Sequence, residues 1–238
     1  MQHQTNTAVG TQMELSEFMN YVFMVMAAGL FVTASMGYML ALNEDLMKGL
    51  FHTYQALDED GKTVTEFGAS GWWWAAAGTQ LVMVITMSTW GRIGHISMTT
   101  GVPVFLLFAA LVGFTMAPVL YAYTATSVAK VFLITAITFC ASGIWGWTTK
   151  KDMTGMGNFF LFALIGLLVA MIVNFIFGSP FMDYLISMVA VLLFAALVAF
   201  DMQMLRKMHA ESSDHAGLIV SGALALYLDF LNLFLHLL

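Results

Sequence analysis

LIVSGALALYLDFLNLFLHLL, residues 218–238, is apolar enough to cross a bilayer yet carries a carboxylate, Asp229, in its middle. An acid at the centre of a membrane helix costs roughly 2.5–3.5 kcal/mol even on the lenient insertion scale, so it persists where it faces protein or a water-filled cavity and has a partner. A second acid, Asp201, closes the equally apolar run VLLFAALVAFD, residues 191–201. The two lie 28 residues apart, and the most polar stretch between them, ESSDHAG at 211–217, falls almost at the midpoint near His215. A helical hairpin turning there brings both carboxylates to similar depth, roughly 15–20 Å from its tip at 1.5 Å per residue. Asp201 and Asp229 are therefore expected to meet.

The rest of the chain sets the frame for that pair. Of 238 residues, 60% are hydrophobic and only 9% charged, against about 25% charged in soluble domains. The chain reads as a polytopic membrane protein whose first partner is the lipid bilayer. A net charge of −6, with no basic stripe, argues against nucleic acid as a partner. The lone Cys140 allows no intramolecular disulfide.

Seven segments approach the roughly 20 apolar residues that span a membrane: Phe18–Ala41, Gly71–Trp90, Val102–Tyr121, Ser127–Trp147, Asn158–Phe177, Met182–Leu205 and Leu218–Leu237. The expected fold is all-α, with a tail at 1–17, a seven-helix domain at 18–238 and a long acidic loop at about 43–70. The tail lacks the basic region and cleavage site of a signal peptide, so the first segment reads as a retained helix. Pro103 and Pro180 fall near helix starts, where a missing donor costs little; Pro118 lies inside the third segment. Arg92, Lys150, Lys151, Arg206 and Lys207 fall on the side of the N-terminus. The positive-inside rule puts that side in the cytoplasm.

Two carboxyls close together in low dielectric share one proton and titrate as a unit. Asn232, three residues beyond Asp229, lies on the same helix face and can support the pair. Arg92, at the end of the second segment, is a candidate latch that would hold one carboxylate ionised; equally, it is an interfacial residue that obeys the charge rule. The plainer reading of the aspartates is a structural pin, each hydrogen-bonded to a backbone carbonyl. Gln80 and Asn174 read as interhelical hydrogen-bond residues, and Asp183 as a solvated helix-start residue. His52, His95, His209 and His215 lack metal-ligand spacing. Gly143, Gly146, Gly155 and Gly157 suggest close packing and a tight fourth loop.

Three stretches together, IWGWTTKKDMTGMGNFF (144–160), FAALVAFDMQ (194–203) and GALALYLDFLNLFLHLL (222–238), resemble bacterial members of the transmembrane Bax inhibitor motif family, also called the Bax inhibitor-1 family. The resemblance runs from about Trp74 to Leu238. It implies a seven-helix fold whose C-terminal helix is central and surrounded by the other six. It also implies a pH-sensitive calcium leak down its gradient, with the two-aspartate sensor on Asp201 and Asp229 and the arginine latch on Arg92. Calcium would be the permeant ion, held transiently by Asp201 and Asp229, with no cofactor. Bacterial membership implies a multi-pass protein of the cytoplasmic (inner) membrane. The chain departs from the family in its long acidic first loop, in ending without a charged tail, and in a polar second segment (Thr79, Gln80, Thr86, Ser88, Thr89) that could line a pathway.

A second reading of the same resemblance is an interaction protein that regulates a membrane-bound partner such as a quality-control protease. An enzymatic reading is set aside. Intramembrane aspartyl proteases also carry two aspartates on their sixth and seventh helices, but need Gly-x-Gly-Asp and Pro-Ala-Leu motifs. Here Leu226-Tyr227-Leu228 precedes Asp229 and no Pro-Ala-Leu run exists. A retinal protein would need a lysine in the last helix, which has none.

Overall fold

Capping residues cut the apolar sequence into rods. Thr124 and Ser179 accept backbone N–H groups from Ser127 and Met182 through their hydroxyls, and Pro180 follows Ser179 at the first helical position. Such caps satisfy donors that a helix start leaves open. Gly178, at φ 63°, ends the preceding helix in the left-handed conformation that favours glycine.

The computed structural model describes residues 13–57, 63–93, 97–212 and 215–238. In chain order they form α1 (Leu15–Ala41), α2 (Glu44–Leu50), β1 (His52–Leu57), β2 (Thr63–Gly68), α3 (Gly71–Ile93), α4 (Met98–Ala122), α5 (Ala125–Thr148), a 3-10 turn at Thr154–Met156, α6 (Gly157–Phe177), α7 (Pro180–Glu211) and α8 (Ala216–Leu237).

The segment expected as a plain acidic loop holds structure. Asn43 caps α2 by accepting the Leu46 N–H at 3.1 Å. β1 and β2 then pair antiparallel, His52 opposite Gly68 through Leu57 opposite Thr63. The alternating, β-branched run TVTEFG suits a half-exposed strand, and Phe67 is buried with Leu40, Met47 and Ala117. The acidic residues 58–60 lie outside the described residues.

Six described helices are long and apolar enough to cross a membrane: α1, α4, α5, α6 with its preceding turn, α7 and α8. α3 is 23 residues long, but Thr79, Gln80, Thr86, Ser88 and Thr89 dilute its apolar character. α4 starts at Met98 rather than near Val102, which puts Pro103 in its second turn. α7 has 32 residues, about 48 Å at 1.5 Å each, and so outruns a hydrocarbon core of about 30 Å.

The helices differ in how much protein covers them. Over its most apolar 18 residues α8 is 72% buried, whereas α5 and α6 are each 17% buried. α8 packs against α1, α3, α4, α5 and α7, while α6 packs chiefly on α7. The bare faces of the outer helices carry Phe31, Phe162 and Phe175, side chains that lipid can cover at no desolvation cost. Small residues set the closest approaches, as expected where packing rather than hydrophobic exclusion holds helices together. Gly113 of α4 lies against Thr33 and Gly37 of α1, and Gly146 of α5 against the Ala199 backbone of α7; a Cβ at either would collide with main chain.

Candidate functional site

α7 ends at Glu211, α8 begins at Ala216, and the two pack together so that Asp201 and Asp229 face one another. Asp229 is 6% exposed and Asp201 half-buried. The two carboxyls face one another within hydrogen-bonding reach. An ionised carboxylate only accepts, so a carboxyl–carboxyl hydrogen bond requires a proton between the two. Asp229 Oδ2 has no hydrogen-bond partner among the described residues.

The pair opens onto a cleft of about 400 Å³ lined also by Ser88, Ser221, Asn232 and the apolar Leu197 and Leu228. It is polar at the carboxyls and roomy enough for water, the two conditions for hydrating a buried site. Asn232 lines the cleft as expected, but its amide donates to the Leu228 carbonyl at 2.8 Å, within α8. Of the five polar residues expected along the second segment, Ser88 lines this cleft. Thr79, Thr86 and Thr89 instead donate to carbonyls of α3 itself, at Ala75, Val82 and Ile85. Gln80 donates to Thr115 of α4 at 3.0 Å, the interhelical role read for it. Arg92 lies in the last turn of α3, one turn beyond Ser88; its side chain, and with it the latch, lies outside the described residues.

Other polar groups form separate structures. The Asn174 amide donates to Asp183, and its carbonyl accepts the Ser179 N–H at 3.2 Å, so the two residues fasten the α6–α7 turn. Asp183 is thus a bonded residue rather than a merely solvated one. Tyr227, two residues before Asp229, is fully buried; its hydroxyl lies 2.5 Å from Thr33 Oγ1, which donates to the Ala109 carbonyl at 2.9 Å. Thr33 has one hydrogen, so Tyr227 donates to Thr33. At the far end of the hairpin, the His209 and His215 rings lie 4.5 Å apart, tilted at 33°, and both meet Phe18. His209 Nε2 lies 2.9 Å from the Met13 carbonyl, an acceptor only, so His209 donates there. Among the described residues no three His, Cys, Asp or Glu side chains gather to hold a metal ion.

A helical chain with six candidate spans and a carboxyl pair enclosed between its last two helices is a multi-pass membrane protein. The profile of the family described as "Inhibitor of apoptosis-promoting Bax1" matches residues 15–238, and the chain belongs to this Bax inhibitor-1 family. A protein of Deinococcus radiodurans is 36% identical over 243 residues, covering 100% of this chain and 95% of its own. The inner membrane protein YbhL of Escherichia coli K12 is 39% identical over 164 residues, 67% of this chain and 69% of its own. A membrane protein of Streptococcus pyogenes serotype M3 is 39% identical over 168 residues, 70% of this chain and 72% of its own.

Proposed function

We propose that the protein is a calcium leak pathway of a bacterial inner membrane, gated by the proton that Asp201 and Asp229 share. In this reading α3 is a seventh span, α8 is the central helix and the N-terminus is cytoplasmic. The chain works as a conduit, without catalysis and without a cofactor. One observation carries the proposal: two facing carboxyls, enclosed by helices, border a cleft large enough for water, and one oxygen of Asp229 has no partner among the described residues.

The chemistry follows from the pair. With the proton in place the two side chains attract, and α7 is tied to α8. When it leaves, two like charges face each other across the same contact and repel. The freed oxygens are hard, flexible ligands of the kind calcium takes, and the remaining coordination sites can be filled by water in the cleft. Proton and calcium therefore compete for the same atoms, which makes any flux through the cleft depend on pH.

The test is calcium entry into dye-loaded liposomes holding the purified full chain, from about pH 6 to 8. Wild-type flux should change across that range, and Asp201→Asn/Asp229→Asn should flatten it. Asp183→Asn, in the α6–α7 turn, should keep the wild-type profile. Equal flattening by Asp183→Asn would remove the dyad assignment. No flux at any pH would leave the aspartates as a conformational pin and favour a role in binding a membrane partner.

A further inference from the structure

A second cleft lies at the end of the molecule where α5 and α7 meet the α5–α6 loop. Its volume is about 310 Å³, and Lys150, Lys151, Arg206 and Lys207 all line it. Asp152 is the acid among the lining residues, and its carboxylate already accepts the N–H and O–H of Thr154 at 2.9 and 2.7 Å. The loop is fixed in place rather than draped. Gln203 of α7 donates to the Lys151 carbonyl and accepts the Met153 N–H, each at 3.0 Å. Arg206 lies over the Trp147 ring, 5.7 Å from its centre.

A separate trough of about 620 Å³ lies between α6 and α7, walled by apolar side chains such as Phe159, Val189 and Leu193. One stripe of α7 lines both features: Val189, Leu193 and Ala196 in the trough, then Phe200 buried against Phe160 at 5.1 Å between them, then Gln203 and Lys207 in the cleft. The spacing of four and three residues keeps all six on one helix face. Along that face, Met182 to Ala196 of the trough spans about 21 Å, long enough for the acyl chain of one leaflet.

We propose that the two features together bind one anionic phospholipid, its phosphate in the basic cleft, its glycerol passing over Phe200, and one acyl chain in the α6–α7 trough. The positive-inside rule explains basic residues near helix ends. It does not explain four of them around a single cleft on the helix face that also lines an apolar trough. A zwitterionic lipid would fit the trough but leave the cations unmatched, and a free phosphate would fit the cleft but leave the trough empty. The ligand that satisfies both is amphiphilic and negatively charged.

Native mass spectrometry of the full chain, released from vesicles of equal phosphatidylglycerol and phosphatidylcholine, tests this. Wild type should retain phosphatidylglycerol in preference to phosphatidylcholine. Lys151→Gln/Lys207→Gln should lose that preference by about fivefold per charge, while Lys151→Arg/Lys207→Arg keeps it. Gly166→Leu fills the trough at a position where an added Cβ meets nothing within 4 Å, and should lower retention of both lipids. Equal retention of the two lipids by wild type overturns the proposal, as does a preference unchanged in the glutamine variant. Inorganic phosphate that displaces the bound species while Gly166→Leu has no effect would reduce the site to a free-anion site and overturn it as well.

Discussion

Tyr227 and Asp229 sit two residues apart on α8, and both bury a polar group where lipid or protein surrounds the helix. Their hydrogen bonding differs. The Tyr227 chain is closed: its hydroxyl donates to Thr33, Thr33 donates to the Ala109 carbonyl, and Phe105 and Phe108 meet the ring edge-on. Every hydrogen in it has a destination, and it ties α8 to α1 and α4. The Asp229 chain is open: its partner is a second titratable group, one of its oxygens has no described partner, and a cleft lies beside it. A closed network has nothing to gain by rearranging and serves as glue. An open one can exchange a proton or an ion without breaking the fold, which is why intramembrane acids of this kind are functional candidates.

The largest effect that follows is on the closed side. Tyr227→Ala removes a fully buried ring from the packing of α1, α4 and α8 and should cost about 3–5 kcal/mol of stability. Tyr227→Phe keeps the ring and should cost only about 0.5–1.5 kcal/mol. Detergent-solubilised unfolding measures both. If Tyr227→Phe abolished the pH dependence of flux while the protein stayed folded, the tyrosine would belong to the gate and the contrast with Asp229 would fail.

A smaller effect probes the middle of the same chain. Thr33→Val fits the space but leaves the Tyr227 hydroxyl without its acceptor, a buried unpaired donor costing about 1–3 kcal/mol. Combined with Tyr227→Phe the cost should fall, because the orphaned donor is gone too. A double-mutant cycle showing simple additivity would mean that the two hydroxyls are not coupled.

The hairpin was readable in the sequence because two acids in apolar runs stand out against their surroundings, and a single polar turn lies midway between them. Depth follows from counting residues, so the sequence itself pairs Asp201 with Asp229. Tyr227 and Thr33 could not. They are 194 positions apart, and a threonine or tyrosine in a membrane helix is ordinary enough to carry no signal. The pairing of His209 and His215 with Phe18 escaped for a related reason: it depends on how α1 docks against the α7–α8 turn, which no local pattern encodes. The first loop hid a hairpin whose alternation, TVTEFG, was visible but read as loop because of the charges before it. The polar residues of α3 suggest that it could line a pathway; Ser88 does line the cleft, but Thr79, Thr86 and Thr89 turn back onto their own helix, which any serine or threonine in a helix can do.

The smallest expected effect is also the sharpest control. Asp152 is an exposed acid with one oxygen that accepts two hydrogen bonds from Thr154, the counterpart of Asp229 on the solvent side. Hydrogen bonds from the Thr154 hydroxyl and backbone N–H hold its carboxyl below the ordinary value of 3.8. A carboxyl lowered in the folded state contributes stability that is present above its unfolded value and lost as pH falls through the folded one. Between about pH 6 and 8 Asp152 is ionised throughout, so its contribution there is constant. Asp152→Asn should therefore leave the shape of any flux–pH profile in that window unchanged, even though the residue lies at the same end of α7 as Asp201. A profile flattened by Asp152→Asn as much as by Asp229→Asn would mean that surface charge near the basic loop, rather than the enclosed pair, sets the response to pH.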